Sequence, residues 1–132
     1  MATARDVMTP GPRCVGEQQS VLDAARLLEE LDVGAMPIRG EDHRLKGMLT
    51  DRDIFVKCLA FGSDPATTRV GDLRRDRLVT VDVDDSLEDA LEKMRIHRVR
   101  RLPVIDGHDL VGIVTWTDIT RMLPLATVVA TT

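Results

Sequence analysis

An octamer occurs twice in this chain. GMLTDRDI at 47–54 returns as GIVTWTDI at 112–119: glycine, two apolar residues, threonine, two variable residues, aspartate, isoleucine. An internal repeat constrains a fold more tightly than composition does, because each copy must build the same supersecondary unit. Displacing the sequence by about 65 positions aligns most of it. DVMT (6–9) faces DLRR (72–75), and SVLDAARLLEELDVGAMPI (20–38) faces SLEDALEKMRIHRVRRLPV (86–104). With one residue of adjustment in a turn, RLKGMLTDRDI (44–54) faces DLVGIVTWTDI (109–119). The division expected is repeat 1 over 1–61, a linker over 62–69 holding GSDPATT, repeat 2 over 70–123, and a C-terminal tail over 124–132.

Each copy implies the same elements. A short apolar strand lies near Arg13 to Val15 and near Leu78 to Val81. Ser20 and Ser86 precede apolar-periodic runs, with Asp23 and Asp89 three residues on, a pattern like a capping box. Val21, Ala24, Ala25, Leu28 and Leu31 then share one helix face, as do Leu87, Ala90, Leu91 and Met94. Two strands follow, Ala35–Ile38 with Lys46–Leu49 and Leu102–Ile105 with Leu110–Val114, and Asp106-Gly107 supplies hairpin chemistry. A last short helix begins after Thr50 and after Thr115. The class is α/β (α+β): two β-α-β-β-α units, each too small for a good core alone, expected to pack sheet to sheet about a pseudo-two-fold axis.

Composition narrows function by exclusion. The 132 residues are 43% hydrophobic and 30% charged, ordinary for a globular protein, and aromatics are only 2%, so the core is aliphatic. A net charge of -4 argues against a general nucleic-acid coat. Arg74, Arg75, Arg77, Arg95, Arg98, Arg100 and Arg101 make the second half locally basic. Asp82, Asp84, Asp85 and Glu88 offset them, and few aromatics are present to stack on bases; a solvated face is the better reading. MATARDVMTP lacks the basic and apolar regions of a secretion signal. No apolar run approaches the roughly 18 to 20 residues of a membrane span, so a cytoplasmic location is expected. Cys14 and Cys58 form no CxxC pair and read as free thiols of a reducing compartment. His43, His97 and His108 are scattered, which gives no metal site within one chain, and His97 suits a helix C-terminus, with a metal shared across a dimer as its alternative role. Nucleophile elbow, Walker loop and HExxH are all missing from the sequence, and Asp51 and Asp53 share one helical turn rather than facing across a cleft. A non-enzyme is expected.

The octamer has two readings. As local structure, Thr50 and Thr115 are N-caps, and Asp53 and Asp118 are first-turn acids favoured by the helix dipole. As a site, a helix start at a strand end turns N–H groups and a hydroxyl toward any crevice there, which suits a phosphate. A carboxylate in the same turn can accept two hydrogen bonds from a ribose diol.

DVMT near the start, MPI and LPVID before the hairpins, and the doubled G-h-h-T-x-x-D-h resemble a tandem pair of CBS domains, a Bateman module of the small stand-alone type. The likeness covers residues 4 to about 122. It implies a regulatory or sensor module that binds AMP, ADP, ATP or S-adenosylmethionine in clefts between repeats, with no required cofactor. It implies nucleotide-binding roles for Asp53 and Asp118 on ribose hydroxyls and for Thr50 and Thr115 at the phosphate end. RVRRLPVID resembles members with basic residues just before the apolar-proline pair, which nominates Arg100 and Arg101 as phosphate partners. Gly34 and Ala35 stand at their places in the first copy, so at most one well-made phosphate site is expected. Phe55, Val56, Leu59, Phe61, Trp116 and Met122 flank the octamers and imply a homodimer through these helices. With no effector domain in the sequence, output would pass to a separate, unidentified protein. The alternatives are a dimeric stress or interaction protein whose clefts no longer bind nucleotide and, more weakly, a nucleic-acid-binding module.

Overall fold

The structure, a computed structural model, describes residues 1–74 and 77–131; Arg75 of the arginine-rich stretch lies outside the described residues. In chain order the elements are α1 (Ala4–Val7), β1 (Thr9–Pro10), β2 (Val15–Gly16), α2 (Val21–Leu31), β3 (Ala35–Arg39), β4 (Leu45–Thr50) and α3 (Asp51–Asp53). A π-helical turn over Ile54–Leu59 and a 3-10 turn over Val70–Asp72 follow. Then come β5 (Val81–Asp82), α4 (Leu87–His97), β6 (Arg101–Asp106), β7 (Asp109–Thr115), α5 (Trp116–Thr120) and α6 (Leu125–Thr131). The α/β class and the paired repeats stand. The strands expected near Arg13 and Leu78 are shorter and later, two residues each.

The side chains of Ser20 and Ser86 cap α2 and α4, accepting the N–H of Asp23 at 3.0 Å and of Asp89 at 3.1 Å. Both helices end without glycine: Asp32 and Arg98 adopt the left-handed conformation, at φ 53° and 55°. The N–H groups of Val33 and Val99 then return to the carbonyls of Leu28 and Met94, closing the last turn. The repeats agree even in their irregularities. β3 bulges between Ile38 and Arg39, and β6 between Val104 and Ile105.

The chain forms two compact units whose limits cut across the repeats: residues 13–78, and residues 1–12 with 79–132. In the first, a sheet of order β2-β3-β4 packs Val15, Val21, Leu28, Met36, Ile38 and Leu49 into a core with Val70 and Leu73. In the second, a sheet of order β1-β7-β6-β5 encloses Val81, Leu87, Leu91, Met94, Leu102 and Val104 with Ala4. Each fully buried leucine here contributes about 1.5–3 kcal/mol. Each core takes in residues of the other repeat, Val70 and Leu73 in the first unit and Ala4 in the second, so neither copy builds its core alone.

Exchanged leading segments make this workable. Residues that open repeat 1 lie on repeat 2, where the N–H of Ala4 donates to Asp85 O at 2.9 Å and the N–H of Arg5 to Val83 O at 3.1 Å. Residues that open repeat 2 lie on repeat 1, where the N–H of Val70 donates to Gln19 O and that of Gly71 to Glu17 O, both at 2.9 Å. The stretch expected as a linker is also tied down: the N–H groups of Val21 and Leu22 donate to the carbonyls of Thr68 and Pro65. The expected C-terminal tail carries helix α6, with Leu125 and Val129 largely exposed.

Candidate functional site

Thr50 and Thr115 are the last residues of β4 and β7, extended at φ -115° and -110°. The Thr50 hydroxyl oxygen accepts the N–H of Asp53 at 2.9 Å, and Asp53 Oδ2 accepts the N–H of Thr50 at 2.9 Å. Thr115 and Asp118 repeat this reciprocal pair at 3.1 and 3.0 Å. The local reading of the octamer is thus realised in both copies. Each pair satisfies two backbone donors that a helix start would otherwise leave open.

Beyond the caps the copies differ. Lys57 Nζ stands 3.1 Å from Asp53 Oδ1, with side chains only 10% and 16% exposed. Both oxygens of Asp53 are therefore engaged. The space beside it, bounded by Met48, Leu49, Val70 and Arg74, holds about 10 Å³, room for no more than one water. In the second copy Met122 takes the place of Lys57. Asp118 Oδ2 holds the Thr115 N–H, and among the described residues Asp118 Oδ1 has no partner.

The strands that deliver these caps start alike. The N–H of Asp51 donates to Gly34 O at 3.0 Å, and that of Trp116 to Arg100 O at 2.8 Å. Ala35 lies opposite Thr50, and Arg101 opposite Thr115, across the antiparallel ladders. Residues directly opposite share a sheet face, with Cβ atoms about 4.5–5.5 Å apart. The fold thus brings Arg100, Arg101, Thr115 and Asp118 to one end of the β6–β7 pair, and Thr50 and Asp53 to the corresponding end of β3–β4. The Arg100 guanidinium lies 5.4 Å from the centroid of the Trp116 ring, a cation–π contact.

A separate crevice of about 480 Å³ opens in repeat 1 between the end of α2 and the start of α3. Its apolar wall includes Leu28, Val33 and Ile54, and its polar wall is Glu29, Asp32 and Asp51. Sequence reasoning passed over this crevice and over Lys57. The spacing Asp53–Lys57, four apart on one helix, was the available signal for the latter.

The remaining candidates take structural positions. His43 is a left-handed turn residue at φ 64°, and His97 ends α4, where the helix dipole favours a cation. Among the described residues no three His, Cys, Asp or Glu side chains gather as a metal site. Cys14 and Cys58 are not disulfide-bonded; Cys58 is buried, and its Sγ–H donates to Ser63 O at 3.6 Å. Burial raises the Cys14 thiol above its ordinary pKa, partly countered by Arg39. No helix among the described residues is long and apolar enough to cross a membrane.

Comparison with known proteins gives two matches to the CBS-domain family model, over residues 4–59 and 70–125. Hypoxic response protein 1 of Mycobacterium tuberculosis is 53% identical over 124 residues, covering 94% of this chain and 87% of that one. A crystal structure of hypoxic response protein I with two coordinated zinc ions matches with a TM-score of 0.86, covering 93% of this chain and all of that one. The structure of CBSX2 in complex with AMP matches at 32% identity and TM-score 0.80, covering 92% of this chain and 96% of that one. The CBS pair of MJ0100 in complex with 5'-methylthioadenosine and S-adenosylmethionine matches at 26% and 0.80, covering 92% and 95%.

Proposed function

The chain belongs to the CBS-domain family, and from that premise we propose that it is a non-enzymatic regulatory module that binds an adenosyl nucleotide and acts on a separate protein. The observation that carries this reading is the group at the end of β6–β7. Arg101 is paired opposite Thr115, and Asp118 keeps a carboxylate oxygen open for a ribose hydroxyl. A guanidinium beside a hydroxyl suits a phosphate, and both are presented by rigid strands. The AMP complex of CBSX2 and the S-adenosylmethionine complex of the MJ0100 pair support the same ligand class here. In this reading Arg100 and Arg101 serve the phosphate, Thr115 lines its site and Asp118 holds the ribose. Thr50 and Asp53 form the weaker counterpart, because Lys57 already neutralises Asp53 and no cation precedes Pro37.

The chain acts as a homodimer. Phe55, Val56, Leu59 and Phe61 are 67%, 40%, 49% and 74% exposed, a patch that association would cover. The two coordinated zinc ions are a feature of the relative's crystal structure.

A second reading is favoured by the Asp53–Lys57 pair: a dimeric stress protein, in keeping with the relative named for the hypoxic response, whose clefts are silent. Calorimetry against AMP, ADP, ATP and S-adenosylmethionine separates the two. Saturable heat with any of them supports the regulatory reading, and silence with all four replaces it with the second.

A further inference from the structure

We propose that the crevice of repeat 1 docks a basic segment of a separate protein. An aromatic side chain of that segment enters between Leu28, Val33 and Ile54, and the cations beside it meet Glu29, Asp32 and Asp51. This rests on the reading that the chain acts on another protein, and it names the chemistry of that partner.

The end of α2 supplies the first argument. A helix C-terminus carries partial negative charge, so cations stabilise it and acids do not. Helix α4 follows this rule, with Arg95 and His97 in its last turn and Arg98 as its C-cap. Helix α2 breaks it. Its last turn has no basic residue but holds Glu29 and Glu30, and Asp32 is its C-cap. Acids kept where folding disfavours them point to a use outside folding. Among the described residues the side chains of Glu29 and Asp32 have no hydrogen-bond or ion-pair partner, so their charge is open to a partner's cation. Asp51, at the start of α3, commits one oxygen to the N–H of Arg52 at 2.7 Å.

Repeat 2 supplies the second argument, through what it puts at the equivalent positions. The framework is shared: the carbonyls of Gly34 and Arg100 accept the N–H groups of Asp51 and Trp116 at 3.0 and 2.8 Å. The apolar residues are kept as well, Leu28, Val33 and Ile54 corresponding to Met94, Val99 and Ile119. Three smaller residues are not kept. Ala25 corresponds to Leu91, Gly34 to Arg100 and Asp51 to Trp116. Leu91 is fully buried, Trp116 packs against the core of its repeat, and the Arg100 guanidinium lies 5.4 Å from the ring centroid. Repeat 2 thus sets a ring and a guanidinium of its own where repeat 1 has glycine and a short carboxylate. Repeat 1 is left with a recess of about 480 Å³, within the range of roughly 300–1,000 Å³ that buries a small ligand.

Charge and shape select the occupant together. Among the described residues no lysine or arginine lines the recess, and its carboxylates come from both helices. Val33 adds apolar surface at the edge, 44% exposed. An aromatic residue flanked by cations satisfies floor and rim at once, and Trp, Tyr and Arg most often carry the binding energy of protein interfaces. A neutral apolar segment would bury carboxylates without partners.

The probe is the acetylated and amidated peptide Gly-Arg-Trp-Arg-Gly, titrated into the full chain by calorimetry and by amide NMR. Docking predicts saturable binding, shifts centred on the amides of Asp32, Val33 and Asp51, and weakening as salt rises. Replacing the peptide's tryptophan by alanine, or both arginines by glutamate, should lose at least fivefold in affinity. In the protein, Glu29→Gln with Asp32→Asn should lose at least fivefold while unfolding at higher urea, because the helix end is relieved of acids. Ala25→Leu fills the recess without changing charge and should lose as much. Glu30→Gln, outside the lining, should bind as the parent does. If Ala25→Leu fails to fold, the charge pair and the peptide variants decide the same question. Silence at millimolar peptide, or shifts confined to other parts of the chain, overturns the docking surface. Benzamidine binding there as tightly as the peptide would replace the protein segment with a small organic cation. If the same substitutions change the mass in light scattering and leave peptide affinity unchanged, the crevice belongs to a contact between copies and the inference falls. AMP calorimetry on the same samples keeps the two readings apart. Peptide binding with nucleotide silence leaves this surface and removes the nucleotide reading, and the reverse removes this surface alone.

Discussion

Lys57 Nζ holds Asp53 Oδ1 at 3.1 Å, whereas the residue four beyond Asp118 is Met122, which cannot make that contact. Two aspartates that look alike in the sequence are therefore chemically distinct. Asp118→Ala is expected to lower affinity for AMP ten- to a hundredfold, the equivalent of losing a hydrogen bond to a charged group at about 1.5–3 kcal/mol. Arg101→Ala should match it, and Asp53→Ala should cost well under tenfold. Calorimetric titration of the three variants checks this. Equal losses at both aspartates with Arg101→Ala neutral would show that the asymmetry has no bearing on binding.

The threonine caps separate folding from binding. Thr50→Ala and Thr115→Ala each remove a hydroxyl that accepts a first-turn N–H, and each should cost about 1 kcal/mol in urea unfolding. Thr→Ser at either position should keep most of it. Only Thr115→Ala is expected to weaken nucleotide binding as well, once the variants are compared at matched stability. If neither weakens it, Thr115 is a cap alone; if both do, the two caps serve binding alike and the asymmetry is wrong.

Much of the fold was readable because the repeat supplied every signal twice. Ser20 and Ser86, the 3.6-residue stripes and Thr50 and Thr115 each marked an element boundary, and the long helices and β3–β4 and β6–β7 fall within a residue or two of expectation. The exchange of the leading segments was not readable. Ala4 and Val70 bear the same relation to their own repeats in sequence, and only three-dimensional packing shows that each serves the other's core. At the site, residue types pointed to a cap-and-carboxylate pair but not to its occupancy. Lys57 reaches Asp53 because both lie on one face of a helical segment, a contact weighed against solvent only once burial is known.

The octamer glycines do not have equal duties. A Cβ on Gly112 would run into the Met8 side chain and come within 3.0 Å of Thr9 O, because Pro10 of β1 pairs with Gly112 on β7. A Cβ on Gly47 would meet only Ile38 Cδ1 at 3.8 Å, an ordinary contact. Gly112→Ala should destabilise by about 1–3 kcal/mol through overpacking and make residues 1–12 easier to remove by limited proteolysis. Gly47→Ala should be neutral, or gain up to about 1 kcal/mol from the stiffer unfolded chain. Urea unfolding of the two variants, with protease mapping of the first, decides it. Matching losses would mean that β1 does not depend on Gly112.

Cys14 gives a prediction in pH. Burial raises its thiol pKa in the folded state, and Arg39 offsets only part of the rise. The folded chain then holds that proton to higher pH than the unfolded chain, whose thiol titrates near its ordinary value of about 8.5. Above that value the unfolded state releases its proton first, so the thiol's contribution to stability is full below it and declines as pH rises through it. Cys14→Ser removes the titrating group and should flatten that part of the stability profile. Alkylation gives an independent reading, since the thiolate is the reactive species. At pH 8.5, native Cys14 should react with iodoacetamide several times more slowly than in urea-unfolded protein, and the fully buried Cys58 more slowly still. Native Cys14 reacting at the unfolded rate would mean that its thiol is not held back by burial, and the slope assigned to it should then persist in the serine variant.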